Sequence, residues 1–184
     1  MSSIALRQHI LKVGDSPFAH NYLVFYDDDG NVAGEFHGLA IDPVTNESVR
    51  IGRSSHNLQA RRFDGKEWYR PGEAEKPLWQ GSYDEATARW QAARDAHDEI
   101  NRRNLTYNAW GGDLNGPRDP DAPIPDVIAG NSNSVNRTLI EAMGLRMPGM
   151  PMMAPGIENP LLRQQQIDQI LRNNGLPIPK GGLF

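Results

Sequence analysis

Two strand-like runs face each other across a turn. Residues 20–26, His-Asn-Tyr-Leu-Val-Phe-Tyr, and residues 32–41 flank Asp27-Asp28-Asp29-Gly30-Asn31. Asp, Asn and Gly tolerate the backbone angles a tight turn requires. The pattern predicts an antiparallel hairpin. Residues 4–13 read as a further strand. After a turn at Pro43-Val44-Thr45-Asn46, residues 48–52 read as a short one. Residues 53–81 read as irregular, with Trp68, Tyr69 and Trp79 interspersed. An Asp-rich turn invites comparison with a calcium loop. The EF-hand pattern needs a terminal Glu and flanking helices, which Glu35 and the strand-like flanks do not supply.

Helices enter in the second half. Ser82-Tyr83-Asp84-Glu85 has the form of a capping box. Behind it Tyr83, Ala86, Trp90, Ala93, His97 and Ile100 recur at helical spacing, predicting a helix over 83–104. Asp84 and Glu85 open it and Arg102 and Arg103 close it, as the helix dipole favours. Val135, Leu139, Ile140 and Met143 form a second apolar face. Asn159 as cap, Pro160 at the first position and Gly175 at the end predict a third helix over 159–174. Between them, residues 111–130 are rich in Pro, Gly and Asp, the composition of a long surface loop and candidate lid. A Met/Pro/Gly break over 146–158 separates the last helix from what precedes it. Its Met-rich part, 147–153, reads as a packed linker, with flexible thioether contacts to a partner as the alternative.

The chain has 184 residues, a net charge of −4 and no cysteine. Length suggests one domain over 1–145 and an appendage over 146–184. The absence of cysteine removes disulfides and cysteine-based zinc sites, and fits a cytoplasmic location in the producing cell. No apolar run approaches the ~18 residues of a membrane span, and Met1-Ser2-Ser3-Ile4 does not open a signal peptide. The charge gives no reason to expect nucleic-acid binding, and Arg50, Arg53, Arg61 and Arg62 read as solvated surface. No His-x-x-x-His pairing suggests a metal, and no cofactor is expected. His97 reads as a packed core histidine, and His9 and His56 show no partners in the sequence.

The segment that carries chemistry is Gly130-Asn131-Ser132-Asn133-Ser134-Val135. Asn131 or Ser132 is a natural N-cap for the helix that follows. A helix N-terminus presents backbone N–H groups and partial positive charge, which favour a developing anion. A hydroxyl there becomes a nucleophile if a histidine reaches it; otherwise the cluster only caps a helix. Together, Tyr107-Asn108, Asn131-Ser132-Asn133-Ser134-Val135, Leu139 and Arg146-Met147-Pro148 resemble the second half of the circularly permuted papain-like hydrolases, including the PPPDE family. That family has a Tyr followed by an Asn-Cys-Asn-(Ser/Thr)-Phe motif, a helix and a short Ile-Pro-type exit. Its first half has a histidine opening a hydrophobic strand, and Ala19-His20-Asn21-Tyr22-Leu23-Val24-Phe25-Tyr26 is similar to it.

The resemblance implies a dyad of His20 and Ser132, histidine first in the chain. Ser132 stands where the family has cysteine. A natural serine variant, an inactivated relative and an engineered substitution each account for that. Serine needs a base more than cysteine does, since it is not ionised near neutral pH, so His20 is obligatory if Ser132 acts. Glu35 and His37 alternate onto one strand face, opposite Phe36, and either is a candidate to orient His20. Asn21 points to the other face of its strand. Backbone N–H groups at Ser132 and Asn133, with the Asn131 side chain, are candidates for an oxyanion site.

The expected fold is α+β: a small antiparallel sheet packed on helices, permuted papain-like, with a C-terminal helical extension. The expected function is hydrolysis of an amide, isopeptide or thioester bond in a protein, peptide or acyl substrate. The alternative is a catalytically silent papain-like module that docks a partner through its C-terminal helix. Compact chains of this superfamily are often bacterial toxin or effector domains. The resemblance therefore extends to delivery into another cell without a signal peptide, and to a partner or immunity protein.

Overall fold

The computed structural model describes residues 1–13, 16–49, 52–110, 129–150 and 154–179. The lid expected over 111–130 falls almost wholly outside the described residues, as do Arg50 and part of the Met-rich segment. The fold is α+β. Strands β1 (Ser2–Val13), β2 (Ser16–Tyr26), β3 (Val32–Ile41), β4 (Ser48–Val49), β5 (Asn57–Asp64) and β6 (Ala74–Gly81) precede helix α1 (Tyr83–Arg102). Strands β7 (Thr106–Tyr107) and β8 (Ala129–Gly130) then lead to helices α2 (Ser132–Ala142) and α3 (Gln164–Asn173). The strand order is β6-β1-β2-β3-β5-β7-β8, with β4 on β3. Every pairing is antiparallel except β7 with β8.

The hairpin forms as its sequence predicts. Asp27 accepts hydrogen bonds at Oδ1 from the Asp29 and Asn31 N–H groups, at 3.0 and 2.8 Å, and Gly30 takes φ +80°. These bonds account for the acidic turn through its own backbone. The long helix also forms, with Ser82 as N-cap and Glu85 completing the capping box.

Three expectations need correction. Residues 53–81, read as irregular, contain β5 and β6. The β6 strand is an edge strand with largely exposed residues, and Pro77 lies at a register shift opposite β1, so no apolar alternation marks it. The sheet is accordingly larger than the small antiparallel one expected, and it is mixed. The last helix begins at Gln164, not after Asn159. The Leu161 N–H donates to Thr138 Oγ1 at 2.7 Å and the Leu161 carbonyl accepts from Arg103 at 3.1 Å, which holds that stretch outside a helix.

One face of the sheet carries the core. Phe25 and Phe36 pack on Trp90 of α1 at ring-centre distances of 5.5 and 4.5 Å. Val135, Leu139, Ile140 and Met143 of α2 join the same buried cluster. So do Leu161, Leu162, Ile167, Ile170 and Leu171 from the C-terminal part of the chain. A lone helix of this length is marginal in water, and α3 buries its apolar face against its own chain. The opposite face of the sheet carries the buried polar side chains of His20, Glu35 and His37.

Candidate functional site

Register assembles the polar face. Tyr22 pairs with His37 and Val24 with Glu35. Alternation then puts His20 and Tyr22 of β2 on the face shared by Glu35 and His37 of β3. On the other flank of β2, His9 pairs with His20 and Arg7 with Tyr22.

A line of hydrogen bonds runs through this face. Glu35 Oε2 lies 3.1 Å from His37 Nε2, and His37 Nδ1 lies 3.1 Å from His20 Nε2. The direction of donation follows from charge. The Glu35 carboxylate accepts three backbone N–H groups, from Glu67, Trp68 and Tyr69, at 3.1, 2.8 and 2.9 Å. Burial alone would raise its pKa. His37 and these three donors outweigh burial and hold it below the usual carboxylate range. An ionised Glu35 only accepts, so His37 carries its proton on Nε2 and accepts at Nδ1. His20 must then donate from Nε2, which leaves its Nδ1 lone pair as the basic atom.

Both imidazoles are held neutral. Burial depresses His20 well below the ordinary histidine value, and His37 and His9 push the same way. Burial also lowers His37, against the pull of Glu35. Aromatic rings fix their planes. Tyr22 stacks on His37 at 4.8 Å, and the Trp68 ring centre lies 5.0 Å from His37 and 5.9 Å from His20. The loop bound to Glu35 by its backbone thus also covers the two histidines.

Ser132 reaches the same place from the other side. It opens α2, whose N-cap Asn131 accepts at Oδ1 from the Asn133 and Ser134 N–H groups, at 2.9 and 3.0 Å. The amide of Asn131 donates to the carbonyls of Ala109 and Pro155. Asn133 binds the β2 backbone on both sides of His20: Oδ1 accepts from Asn21 N–H at 3.2 Å and Nδ2 donates to Ala19 O at 3.4 Å. Asn136 adds a bond from Nδ2 to Asn21 O at 2.5 Å. The helix is therefore fastened to the strand around His20. Gly38 makes this approach possible, because a Cβ there would lie 2.6 Å from Ser132 Cα.

His20 and Ser132 line one cavity of about 490 Å³, with Gly38, Trp68, Arg70 and Tyr107 among its other walls. Among the described residues, His20 is bonded to His37 and no direct His20–Ser132 hydrogen bond is present; Tyr107 stands with Ser132 in the cavity wall. Burial raises the Tyr107 pKa, with Ser132 opposing, so its hydroxyl stays protonated.

The expected oxyanion donors are largely engaged elsewhere. The Asn133 N–H is taken by Asn131, and both side-chain amides are committed to backbone. Asn131 and Asn133 thus position the site, while the Ser132 N–H and the Tyr107 hydroxyl remain as donors beside it. His9, read as partnerless, meets Glu73 Oε1 at 2.6 Å, and His56 accepts from the Arg53 N–H. His97 lies against Phe36 but also meets Asp98 and Asn101, at the edge of the core. Trp68 and Arg70 were not identified from the sequence as site residues, because nothing local marks a loop that serves a distant carboxylate. Gly38 carried a signal, since glycine inside a strand often marks close backbone approach.

Among the described residues, no group of three or more His, Asp or Glu could hold a metal ion. No helix among them is long and apolar enough to cross a membrane. Comparison with protein-family models, curated proteins and solved structures gives no match.

Proposed function

We propose that the chain is a hydrolase of amide, isopeptide or thioester bonds, built on a permuted papain-like plan with Ser132 as nucleophile. One observation carries this reading. The buried line Glu35–His37–His20 ends at a cavity whose wall includes Ser132, the first residue of a capped helix. His20 Nδ1 takes the Ser132 proton as Oγ attacks the carbonyl carbon. The oxyanion gains hydrogen bonds from the Ser132 N–H and the Tyr107 hydroxyl. His20 returns the proton to the leaving group, and water then cleaves the acyl-enzyme by the reverse transfers. His37 and Glu35 hold His20 in the Nε2–H tautomer and stabilise the charge it gains, the role the acid has in a Ser-His-Asp triad.

A silent binding module is the second reading. It is favoured by the lack, among the described residues, of a hydrogen bond between Ser132 and His20, whose Nε2 is bonded to His37. Docking through α3 does not fit it, because Ile167, Ile170 and Leu171 are already buried. Hydrolysis of ester, thioester and amide substrates by the wild type, Ser132→Ala and Ser132→Cys separates the two. Turnover lost in Ser132→Ala and retained in Ser132→Cys supports the hydrolase. Three proteins indistinguishable across all three substrate classes identify a binding module.

A further inference from the structure

The cavity beside Ser132 is more cationic than the chain around it. The protein carries a net charge of −4, yet no carboxylate among the described residues lines this cavity. Arg70 and His9 do. The nearby Glu73 is occupied, with Oε1 on His9 and Oε2 on the Tyr22 hydroxyl. Among the described residues, no hydrogen bond or ion pair uses the Arg70 guanidinium. Its backbone, by contrast, is fixed: the Arg70 carbonyl accepts from Arg7 Nη2 at 2.7 Å. Arg7 is itself held by Tyr22, Tyr26 and Glu75, and lies 4.1 Å from the Tyr69 ring centre. The preceding residues are bonded to Glu35. A loop anchored through its backbone therefore presents the Arg70 guanidinium to the cavity that holds His20 and Ser132.

We propose that Arg70 selects substrates carrying a carboxylate, binding it while the carbonyl to be cleaved lies at Ser132. A planar guanidinium matches a carboxylate in two parallel hydrogen bonds. Leu39, Ala40 and Val49 line the same cavity with Trp68, and receive the hydrocarbon between the two groups. The substrate class is thus an acyl or peptidyl group with a free carboxylate a few carbons from the scissile bond. The catalytic half of this inference rests on the hydrolase reading; the binding half does not.

Two experiments separate these halves. Glutarate is titrated into the wild type, Ser132→Ala, Arg70→Ala and Arg70→Lys, following the Trp68 indole N–H signal by NMR. Glutarate should bind the wild type and Ser132→Ala alike. Arg70→Ala should weaken it about tenfold, as expected for one charge-assisted contact at a partly exposed site, and Arg70→Lys less. In parallel, 4-nitrophenyl hydrogen glutarate is compared with 4-nitrophenyl valerate. The wild type should prefer the anionic ester in kcat/KM, and Arg70→Ala should lose that preference. No Trp68 response to glutarate, or equal binding by Arg70→Ala, overturns the proposal. Arg70-dependent binding with neither ester cleaved overturns the hydrolase reading and leaves Arg70 as an anion site.

Discussion

Gly38→Ala tests how the two halves of the site are brought together. The added methyl would lie 2.6 Å from Ser132 Cα and 2.8 Å from Cβ and Cγ2 of Val135. None of these atoms ends a flexible chain, so α2 must retreat by about 1 Å to reach ordinary contact distance. Overpacking of this kind costs about 1–3 kcal/mol. The stiffer unfolded chain returns ~0.4–1 kcal/mol, since φ at Gly38 is not positive and alanine meets no backbone strain there. The net loss is about 0–2.6 kcal/mol, or up to roughly 10 °C in Tm for a chain of this size. Catalysis should suffer more. A displacement near 1 Å costs on the order of 100-fold in rate, and here it separates Ser132 from His20. Differential scanning calorimetry and ester hydrolysis measure the two effects. Wild-type Tm together with wild-type kcat/KM would refute the close approach of α2 to β3.

Protonation provides an independent check. His20 is held well below the ordinary histidine value by burial, with His37 and His9 adding to it. The unfolded chain binds that proton near pH 6.5 and the folded chain only at lower pH. Stability is therefore full above about pH 6.5 and falls as pH drops below it, by about 1.4 kcal/mol for each unit of depression. Urea midpoints at pH 7.5, 6.5 and 5.5 should decline in the wild type and decline less in His20→Gln; equal wild-type midpoints would contradict a buried neutral imidazole. Glu35 acts in the same sense at more acidic pH, since its depressed pKa stabilises the fold above the ordinary carboxylate range. Leu171→Ala tests the C-terminal helix: Leu171 is fully buried, so its truncation should cost about 3 kcal/mol and lower Tm by roughly 6–12 °C. An unchanged Tm would mean that α3 does not belong to the core.

Local patterns in the chain carried much of this arrangement. The Asp27–Asn31 turn, the Ser82 capping box and the Asn131 cap each depend on residues within a few positions of one another, so they could be read directly. Alternation also put Glu35 and His37 on one face. Their order in the line to His20 was not legible, because it depends on the register between β2 and β3. Edge strand β6 was hidden because exposure leaves no apolar alternation to read. The start of α3 was misplaced because the Pro160 signal is local, whereas Thr138 and Arg103 act on Leu161 from distant parts of the chain. Arg70 was hidden for the same reason: its place in the cavity depends on backbone bonds between its loop and Glu35 and Arg7.

Activation of Ser132 as a nucleophile by His20 is open to direct measurement. A fluorophosphonate probe reports on it directly, because Ser132 Oγ displaces fluoride at phosphorus and leaves a stable adduct. Labelling of the wild type, Ser132→Ala and His20→Ala is followed over time, and the modified peptide is mapped by mass spectrometry. A single adduct on Ser132 is expected, none in Ser132→Ala, and labelling slowed on the order of 100-fold or more in His20→Ala, the contribution of a general base. No adduct on Ser132, or an adduct that forms equally fast without His20, would contradict it.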